Sequence, residues 1–260
     1  MTKEVSTDWK AAMAKELQAQ VAKTEDYDGI PHISLRHGRM SLNDKPIPND
    51  EIECIVLDSR IERTWYDRPF DPEDKEPPNC FALGSKASDL APDEAVPNPP
   101  SDKCKGCAWA EFGTALQGKG PACKTRLRLL VTPFGAKTTP ETLKDPDLAI
   151  IKVSPTSVAN YNGLGGRGKE PGYERKLALD GKVPWSVVTK VKVAPHDKKM
   201  HEVTFDLVKP ITDQKIMSAT HALFMENKDE LSQGWSYDDP EEGDNSTESA
   251  QSGDKTSAKF

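Results

Sequence analysis

The chain has 260 residues, of which hydrophobic types make up 35 %, with 21 prolines, 17 glycines and a mean hydropathy of −0.68. That composition suits a loop-rich, strand-containing protein better than a helical enzyme, and no apolar run approaches the roughly 20 residues that a membrane span needs. The net charge of −7 is local: residues 226–260 hold ten carboxylates (Glu226, Asp229, Glu230, Asp238, Asp239, Glu241, Glu242, Asp244, Glu248, Asp254) against Lys228, Lys255 and Lys259, leaving 32 acids and 32 bases in residues 1–225.

The opening segment MTKEVSTDWKAAMAKELQAQ is charged and has no signal-peptide apolar core. A cytoplasmic protein with no membrane partner is expected, and there disulfides rarely persist. The odd count of 5 cysteines agrees. Within residues 1–29, Trp9, Met13, Leu17 and Val21 recur at four-residue spacing behind the cap candidates Ser6 and Thr7, which predicts an amphipathic helix.

From residue 30 the pattern turns to short, mostly alternating strands. HISLRHGRMSL (32–42) and EIECIVLDSRIERTWY (51–66), separated by the turn-forming NDKPIPND, read as a long curved hairpin. Residues 67–123 have little periodicity and carry most of the cysteines, so they read as an insertion. Strand character resumes at 124–131 and 148–154. A short helix is expected within 155–180, interrupted by NGLGGRGKEPG (162–172). The last strands are 185–193 and 201–208, followed by a helix capped by Thr212 with Ile216, Ala219, Leu223 and Phe224 on its apolar face. Residues 232–260 are too polar to offset the entropy of ordering and are expected to be a disordered acidic tail. The fold expected for 30–231 is mainly β with a few helices, a small Greek-key barrel of the OB type, with the insertion at 67–123.

Four cysteines follow the pattern C-x23-C-x2-C-x15-C: Cys80, Cys104, Cys107 and Cys123. Four thiolates satisfy a tetrahedral zinc ion without water, and the C-x2-C pair with Gly106 inside it is the usual tight turn that aims two sulfurs at one point. One structural Zn²⁺ stapling the insertion is expected, with four unrelated buried thiols as the bland alternative. A catalytic zinc would need an open coordination position, which four cysteines do not leave. Cys54, mid-strand in IECIVL, reads as core.

Alternation in KTRLRLLV places Lys124, Arg126 and Arg128 on one strand face, and VVTKVKV does the same for Lys190 and Lys192. Residues 103–128 hold Lys103, Lys105, Lys119, Lys124, Arg126 and Arg128 against the single acid Glu111. Trp109 and Phe112 lie within the same segment, Trp65 and Tyr66 end one strand, and Trp185 opens another. Cations hold a phosphate backbone and rings stack on unpaired bases whatever their identity. Arg167 and Lys169, on the Gly-rich loop, are further candidates to clamp a backbone, although that loop also reads as an ordinary connection. No Ser-His-Asp arrangement, paired-carboxylate motif or ligand spacing among the histidines is visible, so no catalytic residue is assigned.

The run PPNCFA…CKGCAWAEFGTALQGKGPACKTRLRLLV, followed by VSPTSVANY and PWSVVTKVKV…EVTFDLV, resembles four-cysteine zinc-containing proteins of tailed bacteriophages and prophages. The wider arrangement resembles the phage single-stranded DNA-binding proteins. The resemblance implies an OB barrel with a zinc insertion, a basic aromatic cleft for single-stranded DNA and a role in DNA replication or recombination in the host-cell cytoplasm. It also implies that the acidic tail, ending in Phe260, meets replication or recombination proteins. Two other readings compete: a zinc-ribbon interaction factor that binds a host or phage polymerase, and a DNA-processing nuclease.

Overall fold

A computed structural model of the chain describes residues 30–69, 76–116, 118–163, 171–196, 200–232 and 234. The helix expected over 1–29, the loop cations Arg167 and Lys169, and the tail from 235 to Phe260 lie outside the described residues.

The fold is mainly β with few helices. Its strands are β1 (His32–Ser34), β2 (Ser41–Leu42), β3 (Lys45–Pro46), β4 (Glu51–Trp65), β5 (Cys80–Gly84), β6 (Lys124–Pro133), β7 (Ala149–Val153), β8 (Val187–His196) and β9 (Met200–Pro210). The helices are α1 (Val158–Asn162), α2 (Tyr173–Leu179) and α3 (Gln214–Asn227). The strands form one sheet in the order β3-β2-β1-β7-β6-β4-β8-β9, with β5 on β4. It is antiparallel except for β1 on β7, and it curls into a half-barrel.

β4 organises the sheet. One edge pairs with β6 from Cys54 to Thr64; the other pairs first with β8 (51–54) and then with β5 (61–65). Strict alternation would carry Asp58 to the inner face, but a register shift between Val56 and Asp58 resets the parity. A one-residue slip moves every later side chain to the other face. Ile52, Cys54 and Val56, then Ser59, Ile61, Arg63 and Trp65, therefore face inward, whereas Ile55 and Leu57, then Asp58, Arg60, Glu62 and Thr64, face outward.

Two cores follow. Inside the curl, Cys54, Val56, Ile61, Leu127, Leu129, Val131, Ile151, Val153, Val191 and Val203 pack with Tyr161, Tyr173 and Leu177 of the short helices. Outside it, Ile55, Leu57, Leu130 and Val188 are covered by α3 through Leu223, Ile216, Met217 and Ala219. The cap of α3 is Asp213, not Thr212: its Oδ1 accepts from the N–H groups of Lys215 at 2.8 Å and Ile216 at 3.1 Å.

α1 stands at the free edge of β9. Val203 donates its N–H to Ser157 Oγ at 3.0 Å, and its carbonyl accepts from Asn160 Nδ2 at 2.8 Å. Two side chains thus stand in for a neighbouring strand and close the curl at this point. The stretch between α1 and α2 starts and ends with touching backbones: a Cβ on Gly172 would lie 2.3 Å from Gly163 N.

The hairpin expected between 32–42 and 51–66 does not form. The first segment breaks at Arg36–Gly38, where His37 (φ 55°) and Gly38 (φ 73°) turn the chain. It then folds back on itself through Asn43 and Asp44, both at positive φ, giving the β2–β3 pair, while β1 joins β7. The described residues of 67–123 are tied to the sheet. They contribute β5 to the sheet, Leu90 and Cys104 to the inner core, and a small cluster of Cys80, Phe81 and Val96 against Trp65.

Candidate nucleic-acid interface and thiol cluster

The far end of β4 gathers the cysteines. Trp65 lies directly opposite Cys80 of β5, and Thr64 lies opposite Lys124 of β6, the residue after Cys123. The register therefore places Cys80 and Cys123 on either side of the last turn of β4. The Cys104–Cys107 segment closes over them. Cys104 N–H bonds to Leu90 O at 3.0 Å, Gly106 takes the left-handed φ of 82° that the tight turn requires, and Cys123 N–H bonds to Trp109 O at 2.8 Å.

Cys80, Cys104, Cys107 and Cys123 line one small cavity of about 20 Å³ with Arg63, Trp65, Phe81 and Trp109. As the side chains stand, no group of three or more His, Cys, Asp or Glu among the described residues has the geometry of a metal site. The thiols share a cavity without forming a coordination shell. Burial, with the neighbouring sulfurs adding to it, pushes Cys80 up to about 11; burial pushes Cys123 up to about 12 despite the opposing charge of Arg63. Arg63 reaches into the same space, donating from Nη1 to Cys104 O at 2.9 Å. Its Nε is buried with no hydrogen-bond partner among the described residues. A buried orphan donor beside four sulfurs fits a state in which one of them is a thiolate acceptor, as metal ligation would make it. Cys54 is fully buried in the strand core, and burial pushes it up to about 12.

The aromatic residues singled out in the sequence do not form one open surface. Trp65 and Trp109 stack on each other, ring centroids 4.8 Å apart, against the thiol cavity. Tyr66 lies under the Arg68 guanidinium at 5.6 Å. Trp185 packs on Phe224 and His221 of α3. Phe112 differs: it is 82 % exposed.

The cations separate into two groups on the outer face. Lys190 and Lys192 lie at the β8 end. There Lys190 is 3.6 Å from Glu51 and 3.8 Å from Glu53, and Lys192 is 3.5 Å from Glu51. Seven residues further along β4, about 20 Å at the usual strand rise, and beyond the apolar patch under α3, lies the second group. Arg60 and Arg128 are register partners, as are Arg128 and Lys152, Glu62 and Arg126, and Thr64 and Lys124. Lys124, Arg126, Arg128 and Lys152 therefore share one face across β6 and β7. Lys105 and Lys119 are exposed on the adjoining cysteine segment.

Glu62, only 2 % exposed, anchors this group. It accepts from Arg128 Nε and lies 3.9 Å from Arg126, while Arg60 pairs with Asp58 at 2.9 Å and donates to Lys228 O at the end of α3. Although Lys152 keeps solvent contact, lost hydration lowers its pKa, with Arg128 and Arg126 adding to the effect against Glu62. His32 on β1 is lowered first by lost hydration, then by Lys152 and Arg128, with Glu62 opposing. Arg60, Glu62, Lys152 and His32 were not picked out from sequence. Lys152 alternates with the buried Ile151 and Val153, a visible signal, but joining it to Arg128 needs the strand register.

Comparison with protein families, curated proteins and solved structures finds no match to this chain. No helix among the described residues is long and apolar enough to cross a membrane.

Proposed function

We propose that the protein binds single-stranded DNA independently of sequence, without catalysing a reaction, in the manner of phage replication and recombination proteins. The observation that carries this reading is the stripe of Lys124, Arg126, Arg128 and Lys152 on the outer face of β6 and β7, where Arg126 leaves 43 % of its side chain exposed. The chain order β4-β6-β7-α1/α2-β8-β9 is compatible with the five strands of an OB barrel, and the face of the second and third strands of that fold is where oligonucleotides lie. Those two strands correspond here to β6 and β7. Lys190 and Lys192 are matched by Glu51 and Glu53 and contribute little.

The four cysteines are proposed to hold one structural Zn²⁺. A shared cavity, an all-thiol donor set and the unsatisfied Arg63 Nε support that assignment. The ion would fix the cysteine segment at the mouth of the cationic stripe and supply no chemistry to a substrate.

Fluorescence anisotropy with labelled dT oligonucleotides across a salt series tests the reading. If the stripe neutralises three or four phosphates, log K falls with log salt by roughly 0.7 per contact, a slope of about 2 to 3. Arg126→Glu and Lys152→Glu weaken binding and flatten the slope; Lys190→Glu leaves both near the wild-type values. Affinity indifferent to salt and to Arg126→Glu would exclude the β6–β7 face.

A further inference from the structure

A phosphate-binding stripe holds a strand by charge alone, and single-strand binders add rings on which unpaired bases stack. Among the described residues the large aromatic side chains are mostly committed elsewhere. Trp65 and Trp109 occupy each other's faces, Trp185 lies against α3, and Tyr161, Tyr173 and Phe205 form an inner cluster. Phe112 is the exception, with 82 % of its surface in solvent.

The backbone holding Phe112 is well braced. Gly113, at φ 92°, donates its N–H to the carbonyls of Lys119 at 3.1 Å and Gly120 at 3.2 Å, and Ala115 N–H also bonds to Gly120 O at 3.1 Å. Thr114 Oγ1 donates to Glu111 O at 2.7 Å and accepts from Ala122 N–H at 2.9 Å. The opposite side of this loop leads straight into the stripe. Lys124 Nζ donates to Pro121 O at 2.7 Å and lies 3.5 Å from where a Cβ on Gly120 would stand. Phe112 is thus presented on a rigid loop whose partner segment carries the first cation of β6. So exposed a ring contributes little to packing, and Leu116 on the same loop, 62 % exposed, faces solvent with it.

We infer that Phe112 is the stacking platform for an unpaired base of the strand whose phosphates lie on Lys124, Arg126, Arg128 and Lys152. This rests on the single-strand-binding reading and adds to it a contact with the base itself, which salt does not screen.

The test compares a labelled dT oligonucleotide with an abasic oligonucleotide of the same length, which keeps the phosphates and lacks the rings. Wild type, Phe112→Ala, Phe112→Trp and Arg126→Glu are titrated against both. Phe112→Ala is expected to weaken dT binding about 5- to 150-fold, the loss of one stacked base. It should leave abasic binding and the salt slope unchanged, and Phe112→Trp should restore dT affinity. Equal weakening on both oligonucleotides would show that the ring only supports the loop and would overturn the inference. So would wild-type dT affinity in Phe112→Ala while Arg126→Glu still binds weakly, which would point to a protein contact for the ring. Wild-type protein that binds neither oligonucleotide would instead remove the function proposed above, and this inference with it.

Discussion

Glu62 shows how one carboxylate can shape a cationic surface. It is buried, it holds Arg128 and it leaves Arg126 and Lys152 facing solvent. Removing one partner of a buried ion pair strands the other charge, typically at a cost of about 3 kcal/mol. Glu62→Gln is therefore expected to lower stability by about 3 kcal/mol in urea denaturation and, at low salt, to tighten DNA binding by releasing positive charge. Looser binding in a variant that still folds would mean that Glu62 aims Arg128 at the phosphate rather than restraining it. His32 adds a pH dependence to the same surface. Its neighbours are Lys152 on β7, Arg128 on β6 and Glu62 on β4; lost hydration and the two cations lower its pKa from the usual imidazole value, with Glu62 opposing. A bound phosphate favours the protonated ring and raises that pKa. Affinity should consequently rise as pH falls from 7.5 to 5.5, and His32→Gln should abolish that part of the rise. Identical pH profiles for the two proteins would remove His32 from the interface.

At the level of elements, the open side of the half-barrel is managed by α1. Buried Val203 has both backbone groups satisfied by Ser157 and Asn160 instead of by a strand. Truncating Ser157 or Asn160 to alanine leaves a buried backbone group without a partner, which costs about 1–3 kcal/mol each. Hydrogen exchange at Val203 should accelerate in Ser157→Ala while β4 and β6 stay protected. Long strands were the legible part of this fold. β4, β6, β7, β8 and β9 largely alternate, and most of the residues they bury in the inner core are valine, isoleucine and leucine. The β1–β3 segment was not legible, because Asn43, Asp44, Asn49 and Asp50 adopt positive φ without glycine, so the turns after β2 and β3 carry no glycine signal. The bulge at Leu57 was hidden for a similar reason. It sits in an unbroken apolar run, yet it decides that Arg60 and Glu62 face outward.

For the whole molecule, the cysteine segment and Gly234, the last described residue, lie at the same end of the sheet. Protein purified without chelators is expected to carry about one zinc per chain. Cys104→Ser or Cys123→Ser should lose it and open residues 76–123 to protease, because folding and metal binding share one free energy. Wild-type protein without zinc by elemental analysis would remove the metal assignment and leave the single-strand reading standing. The chain after α3 buries Leu231 and reaches Gly234, where a Cβ would meet the Phe81 ring at 2.4 Å. Phe81 is the register partner of Thr64, itself opposite Lys124. Gly234 is thus the point from which the chain continues to the acids beyond it, and a segment tethered there has an effective concentration on the order of millimolar. Ending the chain after Gly234 should tighten DNA binding at low salt, with the gain fading as salt screens the attraction. Equal affinities across the salt series would leave the tail a solubilising role. Charge pairing explains what the sequence could not supply at this scale. Lys190 and Lys192 looked equivalent to Arg126 and Arg128 until the register set two carboxylates, Glu51 and Glu53, against those two lysines, while Arg126 and Arg128 share the single carboxylate Glu62.

The backbone contact between Gly163 and Gly172 makes the intervening stretch a handle for engineering. Its two ends already touch, so lengthening it asks little of α1 or α2, and each doubling of a closed loop costs only about 0.6 kcal/mol. A short peptide tag or a cysteine for dye attachment inserted between residues 164 and 170 should leave the melting temperature almost unchanged. It would give a reporter joined to the described fold at Gly163 and Gly172.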